Sequence, residues 1–292
     1  MTGMRVRLIF LVQNRGGVVP FHHQHIISDV FKLLLRDTEF SDYKYYNFSA
    51  LKGQIRVVRD GLQYGSEKVT IVLAGLSKEM VDTLVNKLFE QRSIKIGELV
   101  MVPETVDVED EPNFEFSTKY LCLSPLVIAG PERVSELEAK KFVSPFSDEF
   151  SDFVYESTMI NMEKSGLYKP EDFAEFSKFQ LVPDKDYLDR IKETVKKMAR
   201  IYPAYEEDFM YEVRGYTFPF TLYADPRVHD FVMCCGVGAL TRHGFGMLDV
   251  ASNDFKKKVQ RYDVQAAPPR LFQRVNVVAE KDAPAAPDNL EI

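Results

Sequence analysis

The chain has 292 residues, of which 45% are hydrophobic and 12% aromatic, and its formal net charge is −7. This length allows a sizeable core and favours two domains of ordinary size. The acidic balance argues against a protein that coats nucleic acid without selectivity, although it is compatible with a local basic groove. No apolar run reaches membrane-spanning length, and the N-terminal stretch "MTGMRVRLIFLVQNRGG" is too short and too charged for a secretory signal.

The chain has three cysteines, Cys122, Cys234 and Cys235, an odd and small number. The adjacent pair lies in an apolar stretch, which favours buried thiols over metal ligands. The sequence therefore predicts a reduced, cytoplasmic protein with no structural metal and no cofactor.

The first part of the chain predicts strands alternating with helices. Residues 5–13 form a predicted strand, since polar and apolar residues alternate there before a buried apolar run. The segment "FHHQHIISDVFKLLLRD" (21–37) predicts an amphipathic helix, because its apolar residues recur at helical spacing. Two strands in 43–61, one in 67–75, a helix opened by Ser77 and one or two strands in 93–106 follow. This order predicts a split βαβ, ferredoxin-like domain.

The same organisation restarts near residue 119. A strand in 117–130, a helix in 144–166 capped near Ser147, several strands, a helix in 225–240 and a final strand in 245–252 are predicted. The predicted fold class is therefore α+β, with two tandem ferredoxin-like (RRM-like) domains, 1–118 and 119–262, the second carrying a C-terminal glycine-rich loop. Residues 263–292 are rich in Ala and Pro, which predicts a flexible tail.

The segment "GVGALTRHGFGML" (236–248) contains four glycines, and Arg242 and His243 lie between the two pairs. It is not a dinucleotide-binding fingerprint, because Thr241 stands where the third glycine belongs. It is not a P-loop either, because Phe245 follows Gly244 where a lysine is required. Such a loop can offer backbone N–H groups and a cation to an anionic backbone.

Two ferredoxin-like domains followed by this loop resemble the CRISPR repeat-RNA (pre-crRNA) processing endoribonucleases of the RAMP superfamily. The segments "VPFHHQHIISDVF", "YYNFSALKG", "YLCLSPLVI" and "GYTFPFTLYADPRVHDF" agree, and the resemblance spans residues 4–252. It implies a metal-independent nuclease that binds CRISPR repeat RNA and cuts the precursor within each repeat. The RNA 2′-hydroxyl would attack, leaving a 2′,3′-cyclic phosphate, with a base, an acid and a cation supplied by His, Tyr or Lys. It further implies that the loop grips the RNA backbone through Gly236, Gly238, Arg242, His243, Gly244 and Gly246.

The candidate catalytic residues depart from the commoner pattern of this family. Many members have a histidine after the first helix, but the segment "RDTEFSDYKYYNFS" has none. The positions at which many members have a tyrosine and a lysine are occupied in this chain by Lys32 and Lys44. Some branches place the catalytic histidine at the start of that helix, where His22 and His25 lie on the polar face and His23 on the apolar face. We therefore predict His25 as the catalytic residue and His22 as second choice, with Lys32 and Lys44 as cationic helpers.

Two other functions stay open at this point. One is a catalytically inactive RAMP-type RNA-binding subunit of a CRISPR effector complex, which the missing histidine favours. The other is a small-molecule enzyme on a ferredoxin-like fold, although no paired carboxylates or metal ligands stand out. Further candidate partners are other CRISPR effector subunits and a second copy of the chain, whereas no membrane partner is expected. His229 is predicted to be a structural hydrogen-bond partner.

Overall fold

The computed structural model describes residues 3–110, 112–128, 143–147, 149–192, 199–206, 209–251 and 259–265. The described strands are β1 (Met4–Val12), β2 (Val18–Val19), β3 (Tyr46–Phe48), β4 (Ile55–Val58), β5 (Gly61–Tyr64), β6 (Lys68–Gly75), β7 (Ile94–Ile96), β8 (Leu99–Glu109), β9 (Ser117–Cys122), β10 (Leu126–Val127), β11 (Gln180–Pro183), β12 (Ala199–Glu206), β13 (Phe209–Tyr216), β14 (Phe220–Tyr223), β15 (Leu248–Val250) and β16 (Val259–Arg261). The described helices are α1 (Gln24–Leu35), α2 (Lys78–Phe89), α3 (Phe150–Lys164), α4 (Phe173–Phe176), α5 (Lys185–Lys192) and α6 (Pro226–Cys235).

The first half of the chain forms an antiparallel sheet in the spatial order β8–β1–β6–β3. In chain order its elements are β1, α1, β3, β6, α2 and β8, so the outer strands are the second and fourth. This order is that of a split βαβ, ferredoxin-like unit. The apolar residues of α1 that recur at helical spacing, among them Ile27, Val30 and Phe31, are buried in its core as predicted. Helix α2 is capped by Ser77, whose hydroxyl accepts the Met80 amide at 3.1 Å.

The second half repeats this topology around its own core. Strands β15, β9, β14 and β11 lie side by side in that order and pair antiparallel. The chain order β9, α3, β11, β14, α6, β15 matches the first half, which confirms the predicted α+β class with tandem ferredoxin-like units. Helix α3 begins at Phe150 with Glu149 as N-cap residue, a few residues later than the Ser147 cap that the sequence suggests.

Two small sheets are added to these units. Strands β2, β5 and β4 form one beside the first half, and β10, β13 and β12 form the other within the second half. The long β12–β13 hairpin brings residues from the middle of the second half towards the start of α1, as described below.

The last described strand joins the first sheet. β16 pairs with β8 through Val259, Gln260 and Arg261, although its residues belong to the second predicted domain. The domain boundaries at 118/119 and 262/263 therefore stay predictions. The predicted tail, 263–292, lies outside the described residues from 266 onwards.

The buried side chain of Arg5, on β1, connects the two halves. Glu109, at the end of β8, is 3% exposed and accepts hydrogen bonds from Arg5 Nε at 2.7 Å and from Arg7 Nη2 at 2.5 Å. Arg5 is itself buried, and its Nη1 donates to the Met233 carbonyl of α6 at 3.4 Å. Burial would raise the pKa of the Glu109 carboxyl, but the charges and hydrogen bonds of the two arginines outweigh burial and lower that pKa.

Candidate nucleic-acid interface

The glycine loop, residues 236–248, runs from the end of α6 into β15 and packs against β3. Its four glycines all have positive φ: Gly236 (79°), Gly238 (85°), Gly244 (81°) and Gly246 (68°). A Cβ at Gly236 would lie 1.9 Å from Asn47 Nδ2, and one at Gly244 would lie 2.4 Å from the Phe48 ring. Glycine is therefore required both for the backbone conformation and for the close approach of the loop to β3.

Most backbone N–H groups of this loop donate within the protein. The Gly236 and Gly246 amides donate to the carbonyl oxygens of Val232 and Pro125, each at 2.8 Å, and the Gly244 amide donates within the loop at 2.9 Å. These glycines shape the loop rather than present amides to a ligand, and a direct RNA contact for them stays a prediction. The partly exposed part of the loop is its tip, residues 239–242.

Asn47 on β3 holds both ends of the glycine loop. Its Nδ2 donates to the Phe245 carbonyl at 2.8 Å and to the Cys235 carbonyl at 3.3 Å. Asn47 is fully buried, so these bonds are protected from water. The sequence contained a usable signal, since a polar residue inside the apolar strand "YNF" needs a buried partner.

Replacing Gly246 by alanine is expected to lower the free energy of unfolding by about 1–3 kcal/mol, from strain together with a clash. A Cβ there would lie 1.9 Å from the Val237 carbonyl oxygen. Gly166→Ala is the matched control, because Gly166 has a similar φ of 67° but no atom within 4 Å of its Cβ position. Urea unfolding of both variants checks this. Equal losses would show that the glycine loop does not depend on close packing at Gly246.

The tip of the glycine loop borders an open depression of about 370 Å³, which we call the tip depression. The predicted residues Lys44, Arg242 and His243 line it, together with Asn161 on α3. Lys44 is exposed and Arg242 is partly exposed, so two cations are available to an anionic ligand.

The polar face of α1 meets the glycine loop at Lys32. The Lys32 Nζ lies 3.4 Å from His243 Nε2. Asp29 lies one turn before Lys32 on the same face of α1, and His25 lies two turns before it. The His25 Nδ1–H donates to the His22 carbonyl oxygen. This bond leaves the lone pair of the neutral ring on Nε2. Burial lowers the pKa of His25, and the His22 carbonyl and Asp29 only partly offset it, so the ring is neutral at pH 7.

His22 reaches the loop through aromatic rings. Its ring packs edge-on against Tyr202 of β12, with centroids 5.2 Å apart, and Tyr202 packs edge-on against Phe245 at 5.5 Å. Burial lowers the pKa of His22, and repulsion from Arg200, and from His25 whenever that ring is protonated, lowers it further. Sequence reasoning missed Tyr202, because nothing local shows that this hairpin reaches α1.

The other two histidines near these elements are structural. His23 is 3% exposed, its Nδ1–H donates to the Pro20 carbonyl at 3.0 Å, and its Nε2 accepts the Leu51 amide at 3.1 Å. Burial lowers the pKa of His23 to about 4, so it is neutral and fixed in the core, as predicted. His229 is fully buried and shares a 2.9 Å hydrogen bond with the Tyr120 hydroxyl, as predicted.

Within the described ranges, no three or more His, Cys, Asp or Glu side chains are grouped so as to hold a metal ion. No helix among the described residues has the length and apolarity needed to cross a membrane.

Comparison with known proteins gives one family and several similar structures. Residues 109–250 match the family described as CRISPR associated protein Cas6, C-terminal. The structure is similar to a Cas6-related protein from Pyrococcus furiosus, with 16% identity, 86% of this chain and 100% of that chain covered, and a TM-score of 0.73. It is also similar to a RAMP protein binding different RNA substrates, with 14% identity, 85% of this chain and 100% of that chain covered, and a TM-score of 0.71. A third similar structure is a Thermus thermophilus Cas6 product complex, with 14% identity, 85% of this chain and 100% of that chain covered, and a TM-score of 0.57. At these identities the likeness establishes the fold. A search of curated proteins gives no match.

Proposed function

We propose that the chain is a Cas6 protein, since residues 109–250 match the C-terminal Cas6 family and the fold is that of Cas6-related structures, and that it binds CRISPR repeat RNA and cleaves the precursor transcript within each repeat. The observation that carries this proposal is the 3.4 Å approach of Lys32 Nζ to His243 Nε2. It joins the polar face of α1 to the glycine loop, so candidate catalytic and RNA-binding groups border one surface. His22 adjoins this surface through Tyr202, and Lys44 adjoins it through the tip depression.

The proposed reaction needs no group beyond side chains and the RNA itself. The 2′-oxygen bonds to the adjacent phosphorus and the bond from phosphorus to the 5′-oxygen breaks, leaving a 2′,3′-cyclic phosphate and a 5′-hydroxyl. A neutral His25 can accept the 2′-hydroxyl proton, and the leaving 5′-oxygen takes up a proton from the protonated His25 or from water. His22 is the second choice for the role of His25. The ammonium groups of Lys32 and Lys44 can stabilise the charge that develops on the phosphorane.

Incubating the purified protein with its own repeat RNA in EDTA tests this function. We expect one cut per repeat, with the upstream product ending in a cyclic phosphate. Tight binding without any cut would support instead a catalytically inactive RAMP-type RNA-binding subunit. The specific observation that favours this second function is the absence of histidine between α1 and β3.

The same proposal includes the partners of the protein. A repeat-RNA processing protein is expected to act in the cytoplasm, with other CRISPR effector subunits or a second copy of the chain as partners. Light scattering of the purified protein, alone and with repeat RNA, tests the homodimer.

Replacing Arg242 by glutamate is expected to weaken repeat-RNA binding by about 1–3 kcal/mol, because a charge-assisted contact is lost and a repulsion is added. The affinity of the unchanged protein should fall as salt rises. Arg92→Glu is the control, since it changes the charge equally but Arg92 follows α2 and does not line the tip depression. Equal binding by both variants, measured by fluorescence anisotropy, would remove the loop tip from the RNA contact.

A further inference from the structure

The tip depression has an apolar part as well as its two cations. Leu240 and Ala239 of the glycine loop line it together with Ile160 of α3. Ile160 is 40% exposed, although it is a large apolar side chain on a helix that packs into a core. An exposed apolar surface next to charged groups is typical of a binding site rather than of ordinary solvent-facing surface.

The backbone at this site is strained. Leu240 has φ 60°, and it is the one described non-glycine residue with a positive φ. A bulky residue in the left-handed region costs free energy, and such strain concentrates at functional sites. Leu240 lines the depression and stands directly before the turn formed by Thr241–His243.

Helix α3 supplies polar groups beside this apolar surface. Ser157, Ile160 and Asn161 occupy positions i, i+3 and i+4, so they share one face of the helix, and all three line the depression. Asn161 is partly exposed, and no other residue in the described ranges hydrogen-bonds its side-chain amide. An amide offers one acceptor and one donor group side by side, which matches the edge of a base.

From these contacts we infer that the tip depression binds one unpaired nucleobase of the RNA, and that Asn161 determines which base is accepted. The inference rests on the proposed function. Leu240 and Ile160 contact the faces of the base, the Asn161 amide pairs with its edge, and Lys44 and Arg242 hold the flanking phosphates. The asparagine amide can donate one hydrogen bond to adenine and accept one from it, so adenine is the expected base. A bare anion would leave the apolar surface unused, which favours a nucleotide.

The test uses single-stranded oligouridylates of about twelve nucleotides with one adenine, cytosine or guanine moved through successive positions. At one position we expect the unchanged protein to prefer adenine by about tenfold over uracil. Asn161→Leu has a similar size but cannot hydrogen-bond, so it should reduce this preference to about twofold or less. Asn161→Asp, which loses the donor, should weaken the preference as well.

Glu156→Gln is the control on the same helix, because Glu156 is exposed and does not line the depression, and it should keep the full preference. No base preference in the unchanged protein, or a preference that survives Asn161→Leu, would overturn this inference while the proposed function stands. Failure of the unchanged protein to bind any of these RNAs or its own repeat would overturn both.

Discussion

Replacing His25 by alanine is expected to slow single-turnover cleavage of repeat RNA by about 10²–10⁴-fold while affinity stays nearly the same. His25 lies on the polar face of α1 that leads to Lys32 and the glycine loop, and its ring is neutral at pH 7. Because burial lowers its pKa, the cleavage rate should rise with pH and then level off, with the midpoint of the rise below pH 6.5, the usual histidine value. Rapid-quench kinetics from pH 4.5 to 8 measures both effects.

A second variant separates catalysis from positioning. Asn at position 25 can still donate a hydrogen bond to the His22 carbonyl, but it cannot take up a proton at any pH in this range. His25→Asn should therefore be nearly as slow as His25→Ala, and recovery of the full rate would give His25 a purely structural role. If the combined change of His22, His23 and His25 to alanine still cuts at the normal rate, the catalytic group lies elsewhere, with Lys32 and Lys44 as the remaining candidates.

Replacing Glu109 by glutamine is expected to lower the free energy of unfolding by about 3–5 kcal/mol, because it removes the carboxylate bonded to the buried Arg5 guanidinium and leaves only Asp249, 3.8 Å from Arg5 Nη2, as a counter-charge. Arg5 is 5% exposed and also bonds α6, so the loss should loosen the contact between the two halves. Glu104→Gln is the control. This substitution removes a more exposed ion pair, Lys68–Glu104 at 2.7 Å, and should lower the free energy of unfolding by no more than about 1 kcal/mol.

The same carboxyl gives stability a pH dependence with a defined sign. The pKa of the Glu109 carboxyl is lower in the folded protein than the ordinary value of 4.5. Its contribution to the free energy of unfolding is therefore complete above pH 4.5. The contribution is lost as pH falls through the folded pKa, because the unfolded chain then binds the proton more readily. Urea unfolding between pH 3 and 7 should show a steeper acid decline for the unchanged protein than for Glu109→Gln. Parallel declines would mean that the ion pair does not stabilise the fold.

Local sequence features predict much of the fold. The apolar spacing along α1 places Ile27 and Phe31 in the core and separates His23 from its two neighbours, as the structure confirms. Ser77 marks the start of α2, and the repeated strand–helix order gives both ferredoxin-like units. These features are readable because each depends on residues close together in the chain.

Features that depend on residues distant in the chain cannot be predicted from local sequence patterns. The pairing of β16 with β8 and the contact of Tyr202 with His22 join segments more than a hundred residues apart. The glycines suggest an open, ligand-binding backbone, but the space at Gly236 is filled by Asn47, which the spacing of glycines cannot reveal. Asn161 enters the candidate site only because of how α3 lies against the loop tip.

Cleavage by the RNA's own 2′-hydroxyl requires that hydroxyl at a single nucleotide, so one 2′-deoxy substitution is the decisive test. Repeat RNA with deoxyribose at the nucleotide just upstream of the mapped cut is compared with all-ribose repeat RNA, in EDTA and under single-turnover conditions. We expect the substituted RNA to bind with nearly the same affinity but not to be cut at that position. Cutting of the 2′-deoxy RNA at the same bond and at a similar rate would contradict this mechanism.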